Sequence, residues 1–189
     1  MLKILRVVFA SLVATSLCAP AASYDVRNVY WGMTMDQVQA SESAKPELPV
    51  PHILLYKHVQ VAGVDTWISY EFIDNKLASV MYWPYPSGKD TKESVEDGII
   101  WAKRLAEKYG PSSQKIDYPK GKQNVTGKRL FDLLNGNEES TFYWTTERTI
   151  IELRIFGLDE LIQTSLRYND ITAVKALNAR RAAERNKEF

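Results

Sequence analysis

The chain has few of the residues that build disulfide frameworks and metal centres. Its 189 residues include one Cys, Cys18, and two His, His52 and His58. A single thiol excludes an internal disulfide and a cysteine-cluster metal site. The even separation of the two imidazoles would place them on one face of a strand that spans both, but a metal site there would need further ligands. We therefore predict no metal and no cofactor.

A large excess of charge of one sign is also missing. Lys and Arg number 24 against 23 Asp and Glu, which gives a formal net charge of +1. Dedicated nucleic-acid-binding proteins carry a strong basic field, so we predict no nucleic-acid partner. Hydrophobic residues make up 45% of the chain and charged residues 25%. These proportions are typical of a folded protein and not of a disordered one.

Catalytic signatures are absent from the sequence. It contains no Gly-x-Ser-x-Gly elbow, and a Ser-His-Asp triad would have to use one of the two His. Residues 87–91 resemble the end of a phosphate loop, but Trp83 stands where the upstream glycine belongs and Asp90 would repel phosphate. We interpret this segment as a turn and a helix cap. We predict that the protein is not an enzyme, and a hydrolase is the least favoured alternative.

The first 23 residues are typical of a secretory signal peptide. Two basic residues precede an apolar run over residues 7–17, and small residues follow at the spacing that signal peptidase recognises. The run is shorter than the ~20 residues of a membrane-spanning helix, and we identify no transmembrane segment in the mature chain. We expect a periplasmic or secreted protein after cleavage between Ala21 and Ser23. The alternative is a lipoprotein acylated at Cys18.

The first half of the mature chain predicts a short helix followed by a strand meander. Thr34 and Gln37 have the spacing of a capping box, and the helix is expected to end near Ser43. Prolines then make an extended connector. Period-2 alternation of apolar residues indicates half-buried strands on both sides of the turn signal Asp74-Asn75. The predicted strands of this half are 53–61, 66–73 and 77–83.

The second half predicts a longer helix and a second set of strands. Apolar residues recur at helical spacing over 91–109, and Gly110-Pro111 ends the helix. Its apolar face is predicted at Val95, Ile99, Ala102, Leu105, Ala106 and Tyr109. The strands of this half are predicted at 112–118, 141–147, 149–156 and 161–168.

Residues 31–83 and 91–168 therefore share one plan. We predict an α+β fold with tandem helix-plus-three-strand antiparallel meander units, which an internal repeat would explain, and a C-terminal helix. The α+β domain is expected to span 24–168. The last helix, in 169–189, is predicted to be partly solvated because its apolar side fades into Ala, Arg, Lys and Glu.

Three short motifs of the first half resemble a known family. They are Gly32-Met33-Thr34-x-x-Gln37-Val38, Trp67-x-x-Tyr70-x-Phe72 and Asp74-Asn75-Lys76-Leu77. Together they look like the BamE/SmpA type of small envelope lipoprotein, and the tandem plan resembles β-lactamase-inhibitor-protein-like folds. The resemblance implies helices packed on an antiparallel sheet. It also implies a non-enzymatic module of the bacterial envelope that binds other proteins.

Aromatic residues are plentiful, with five Trp and ten Tyr. The densest cluster, Tyr82-Trp83-Pro84-Tyr85-Pro86, lies where a strand passes into a proline-rich loop, so we predict that Tyr85 is exposed. Exposed Tyr and Trp are the residue types that anchor protein interfaces. The candidate binding residues are Tyr82, Trp83, Tyr85 and Trp67. We expect them to recognise another envelope protein; the alternatives are a small ligand or a glycan in a concave groove, and simple packing of the rings on the core.

A basic loop is predicted over residues 119–129. Its cations are Lys120, Lys122, Lys128 and Arg129. They offer a weak contact with an anionic lipid or glycan surface, and a solvated loop is the alternative.

The leader predicts a mature chain that begins between Ala21 and Ser23. Intact-mass spectrometry of the protein recovered from the periplasm of an expressing bacterium should show this start and no lipid adduct. A Cys18→Ala variant should be processed at the same position as the wild type, because a signal peptidase of the secretory kind does not need the thiol. A diacylated N-terminus at Cys18, lost in the variant, would establish the lipoprotein alternative instead.

Overall fold

A computed structural model describes residues 24–47, 49–85, 91–117, 139–158 and 161–185 of the chain. Three predicted features lie outside the described residues. They are the signal peptide with Cys18, the segment 87–90 before the long helix, and the basic loop with Lys120, Lys122, Lys128 and Arg129.

The described residues form three helices and one eight-stranded sheet. The helices are α1 (Met35–Ser41), α2 (Thr91–Tyr109) and α3 (Ile171–Arg185). The strands are β1 (Pro49–Val50), β2 (Ile53–Val61), β3 (Val64–Ile73), β4 (Lys76–Pro84), β5 (Ser113–Asp117), β6 (Glu139–Thr145), β7 (Thr149–Leu158) and β8 (Leu161–Asp170). Within these residues, no helix is long and apolar enough to cross a membrane.

The sheet joins two antiparallel meanders. Its strand order is β1-β2-β3-β4-β8-β7-β6-β5, so the last strands of the two meanders are neighbours at its centre. There β4 and β8 pair antiparallel, with Val80 opposite Tyr168. The predicted α+β class with its antiparallel meanders and C-terminal helix is confirmed. The sequence missed β1 within the proline-rich connector, where Pro49 is tolerated because this strand is at the sheet edge.

Helix α1 begins at the predicted capping box. The Thr34 hydroxyl accepts a hydrogen bond from the Gln37 backbone N–H (3.3 Å), and the Gln37 side-chain oxygen accepts one from the Thr34 N–H (2.9 Å). These bonds satisfy two amides that the first turn of a helix leaves without partners. The helix ends at Ser41, earlier than expected.

Helix α2 packs on one face of the sheet through Gly98, Trp101 and Leu105. Trp101 is 1% exposed, and its indole N–H donates to the carbonyl of Val61 in β2 (3.3 Å). The predicted apolar face was partly wrong, because Ile99 is 44% exposed. The true face is centred on Gly98, whose missing side chain allows the helix to come close to the sheet but adds nothing to a hydrophobic pattern.

The first described residues connect the two meanders. Val26, Val29 and Trp31 are buried in the core, and the Trp31 indole N–H donates to the Thr149 hydroxyl of β7 (2.9 Å). The backbone N–H of Leu77 in β4 donates to the carbonyl of Met33 (2.8 Å). The stretch before α1 is therefore bonded to both halves of the sheet.

The core side of α2 yields a matched pair of substitutions. Trp101→Ala is expected to lower the free energy of unfolding by about 3–5 kcal/mol, because it removes a fully buried ring. Ile99→Ala, two residues away on the exposed side, should change it by less than about 0.5 kcal/mol. Urea denaturation followed by circular dichroism measures both. Comparable losses in the two variants would contradict this placement of the helix.

Candidate functional site

The face of the sheet opposite α2 carries a groove at its β1–β4 end. Successive strand residues point to opposite faces, so Ile68 and Tyr70 join the core with Trp101, while Trp67 and Ser69 point the other way. The groove has a volume of about 450 Å³. Its apolar walls are Val50, Ile53, Leu55, Trp67, Trp83 and Pro84, and its polar lining residues are Ser69, Glu71 and Gln163.

The depth of the groove comes from a small residue between large ones. Ser69 of β3 lies opposite Leu55 of β2 on one side and opposite Met81 of β4 on the other. One step along the same face, Trp67 lies opposite Trp83. A serine among these side chains leaves a depression in the sheet surface, and the two indoles form one wall of it.

The Trp67 wall is supported from behind by two side chains. The ring of Tyr85 packs edge-on at 5.6 Å between centroids, and the ammonium of Lys57 lies 5.3 Å from the indole centroid. Lys57 also pairs with Glu47 at 3.2 Å. Such contacts favour the orientation that the indole has in this structure.

Tyr85 is held where β4 ends. Its backbone N–H donates to the carbonyl of Asp65 (2.7 Å), and its ring lies 4.1 Å from the imidazole of His58. The His58 Nδ1 is 3.1 Å from a carboxylate oxygen of Asp65. The ring is half-buried and not exposed as predicted, because the backbone of Tyr85 stays bonded to Asp65 of β3.

His52 and His58 do not share a strand face. His52 lies in the turn before β2 with a φ of 66°, and His58 has a φ of 54° where the pairing of β2 with β3 shifts register. A bulge of this kind reverses the alternation of the side chains that follow it. Across the residues that the structure describes, no group of three His, Cys, Asp or Glu could hold a metal ion.

Two polar groups of the groove have no hydrogen-bond partner among the described residues. Ser69 is 3% exposed and its hydroxyl makes no hydrogen bond there, and the buried indole N–H of Trp67 makes none either. Glu71 differs, because its carboxylate lies 3.5 Å from the guanidinium of Arg167 in β8. The same Arg167 nitrogen is 2.9 Å from the sulfur of Met81. The groove therefore combines carbon walls with the ion pair of Glu71 and Arg167, and two of its lining residues carry buried polar atoms without partners among the described residues.

The structure brings together three of the four predicted site residues. Trp67 and Trp83 line the groove, and Tyr85 packs behind Trp67. Tyr82 does not join them: it is 2% exposed and faces the core, where its ring meets Tyr168 at 5.7 Å between centroids. Burial raises the pKa of Tyr82 well above its usual value. As the strand neighbour of Trp83 it must point to the opposite face, so it is not part of the site.

Ser69, Leu55, Ile53 and Val50 are the site residues that the sequence did not identify. Alternation placed Ser69 and Trp67 on one face, which was the available signal, but it does not say which face a helix covers. Comparison with protein-family models, with curated proteins and with solved structures finds no match for this chain. The geometry itself can hold an apolar group against the carbon walls of the groove.

The unmatched hydroxyl of Ser69 generates a stability prediction. Ser69→Ala should leave the free energy of unfolding unchanged or raise it by about 1 kcal/mol, because an unmatched buried hydroxyl costs stability. Thr164→Val should lower it by about 0.5–1.5 kcal/mol, since that equally buried hydroxyl donates to the Ser94 carbonyl (3.1 Å). Thermal and urea unfolding measure both. Destabilisation by Ser69→Ala equal to that of Thr164→Val would mean that Ser69 has a partner in the protein.

Proposed function

We propose that the protein is an exported binding protein of the bacterial envelope that holds a small apolar ligand in its sheet groove. The observation that carries the proposal is a depression of about 450 Å³ with six apolar wall residues. Small-molecule sites are concave, largely apolar and roughly 300–1,000 Å³ in volume. The leader-like first residues favour a periplasmic or secreted location.

The polar groups of the groove support binding in preference to catalysis. A nucleophilic hydroxyl needs a base within hydrogen-bond reach, and the Ser69 hydroxyl makes no hydrogen bond to any described residue. Glu71 is engaged with Arg167 at 3.5 Å. We therefore propose that the protein acts by contact and not by making or breaking bonds.

The extent of the apolar surface favours a small ligand over a broad protein interface. A stable interface buries roughly 800 Å² on each partner. On the same sheet face, β6 and β7 carry charge: the guanidinium of Arg154 pairs with Glu139 at 2.7 Å and lies 4.9 Å from the Phe156 ring centroid. The apolar part of this face is thus confined to the groove at the β1–β4 end.

Recognition of another envelope protein is the second candidate. It is favoured by the continuous aromatic cluster of Trp83, Trp67 and Tyr85, because such residues anchor protein interfaces. In that case a partner would insert one apolar side chain over Ser69. Pull-down from an envelope extract should then lose one defined protein with Trp83→Ala and keep it with Thr145→Ala.

Binding of the neutral dye Nile red tests the lead proposal. Ser69→Leu fills the floor of the groove with an apolar side chain. The affinity for the dye, measured from its saturable fluorescence, should therefore fall at least tenfold. Thr145→Leu makes the same kind of change at an exposed position of β6 and should bind as the wild type does. Circular dichroism checks that both variants are folded.

Either of two results contradicts the proposal. One is a wild-type protein that shows no saturable dye binding. The other is a folded Ser69→Leu variant that binds the dye as tightly as Thr145→Leu does, because the dye would then sit elsewhere.

A further inference from the structure

We infer that the ligand of the groove has an apolar body and one protonated amine, and that the carboxylate of Glu71 receives the amine. This inference rests on the proposed function and adds the chemical class of the ligand. It follows from three features of the groove, which are the sign of its charge, the position of that charge relative to the indoles, and its size.

The charge that lines the groove is negative. Among the residues that the structure describes, Glu71 is the one charged residue of the lining, and its side chain is 34% exposed, so a ligand can reach the carboxylate. Lys57 contacts the Trp67 ring but is not a lining residue, and it pairs with Glu47 at 3.2 Å. A carboxylate beside carbon walls attracts a cation more strongly than one in open water, because the local dielectric constant is lower. It repels a carboxylate or phosphate for the same reason.

The contact of Glu71 with Arg167 leaves the carboxylate able to accept another donor. The guanidinium is 3.5 Å away, beyond the roughly 2.7–2.9 Å of a strong charge-assisted hydrogen bond, and the same nitrogen is 2.9 Å from the sulfur of Met81. A carboxylate has sites for about four hydrogen bonds. Arg167 also lies directly opposite a second carboxylate, that of Glu152, in the pairing of β7 with β8. Glu71 can therefore bind an ammonium while Arg167 keeps carboxylates beside it.

The carboxylate and the indoles are at opposite ends of the groove. Trp67 and Glu71 are four residues apart on one face of β3, which at ~3.3 Å per residue separates their Cα atoms by about 13 Å. Trp83 lies opposite Trp67 at one end, and Ile53 lies opposite Glu71 at the other. The groove therefore fits an elongated ligand that has its apolar body against the indoles and its amine beside Glu71.

The volume limits the ligand to a medium-sized molecule. At the ~30 Å³ that a water-sized group occupies in a liquid, about 450 Å³ corresponds to roughly 15 non-hydrogen atoms. The compound 2-naphthylethylamine is close to this size, and a short linker separates its fused rings from an amine that is protonated at pH 7. It is therefore a suitable probe.

Three probes of one shape separate the possibilities in isothermal titration calorimetry at pH 7 and about 0.1 M NaCl. They are 2-naphthylethylamine with a cation, 2-naphthylethanol with an uncharged donor, and 2-naphthylacetate with an anion. The wild type should bind the amine about 3- to 10-fold more tightly than the alcohol, between the effects of an exposed ion pair and of a charge-assisted hydrogen bond. The acetate should bind most weakly. Raising the salt to about 0.5 M should reduce the preference for the amine, because salt screens a partly exposed ion pair.

Two variants should change the preference for the amine in opposite directions. Glu71→Gln removes the charge and keeps the shape of the side chain, so it should abolish the preference for the amine over the alcohol. Arg167→Gln removes the cation that competes for Glu71, so it should raise this preference at least about twofold. Circular dichroism checks that both variants are folded.

Glu152→Gln is the matched control. Glu152 is another partly exposed carboxylate beside an arginine, 3.8 Å from Arg154, and it does not line the groove. Its strand is three positions from that of Glu71, roughly 14 Å at ~4.8 Å per strand, which exceeds the ~10 Å screening length in 0.1 M salt. This variant should keep the wild-type preference for the amine within about twofold.

The outcomes separate the inference from the proposed function. Equal binding of amine and alcohol by the wild type, tightest binding of the acetate, or an amine preference that survives in folded Glu71→Gln each overturns the inference and leaves the groove as a binding site. If Glu71→Gln does not fold, an amine preference that Arg167→Gln leaves unchanged overturns the inference instead. Failure of all three probes and of Nile red to bind the wild type overturns the proposed function itself.

Discussion

The close approach of one helix to one face of the sheet is the constraint on which the rest of the structure depends. A methyl group added at Gly98 would lie 2.8 Å from the terminal methyl of Ile155 and 3.0 Å from the Thr164 hydroxyl, so no larger residue fits there without movement. This approach lets Trp101 extend to the carbonyl of Val61 in β2, so one helix reaches from the second meander to the first. The β1–β4 end of the opposite face remains open, and strand alternation then determines which side chains stand on it.

The groove has a composition that stability alone does not favour. A sheet surface gains nothing from an unmatched hydroxyl at Ser69 or an unmatched indole N–H at Trp67, and apolar residues at such positions would be at least as stable. Their surroundings are nevertheless ordered by ring and cation contacts, since Tyr85 and Lys57 both pack against the Trp67 ring. Residues that do not add to stability, within a sheet that is otherwise ordered, are expected at functional sites.

The sequence predicts the elements well and the site only in part. Period-2 and helical patterns locate β2 at 53–61 and α2 at 91–109, because these segments bury one clear face. The face of α2 was less predictable. Its closest contact with the sheet is made by Gly98, which has no apolar side chain and so adds nothing to the hydrophobic pattern. Tyr82 was included in the predicted site as a member of the aromatic cluster, but β4 continues to Pro84 and keeps Tyr82 pointing to the core. Which face stays uncovered depends on tertiary packing.

The two meanders show that the groove is a property of side chains and not of the fold. Both supply four antiparallel strands to one sheet, with their last strands side by side at its centre. On the open face, the first meander places Trp67 opposite Trp83 with Ser69 beside them. The second places Arg154 against Glu139 and over the ring of Phe156, which fills that surface with an internal ion pair. Since both halves are four-stranded antiparallel meanders, the groove arises from the indoles and the small serine of the first half and not from the backbone plan, so the proposed binding would depend on side chains that can be changed while the sheet remains intact.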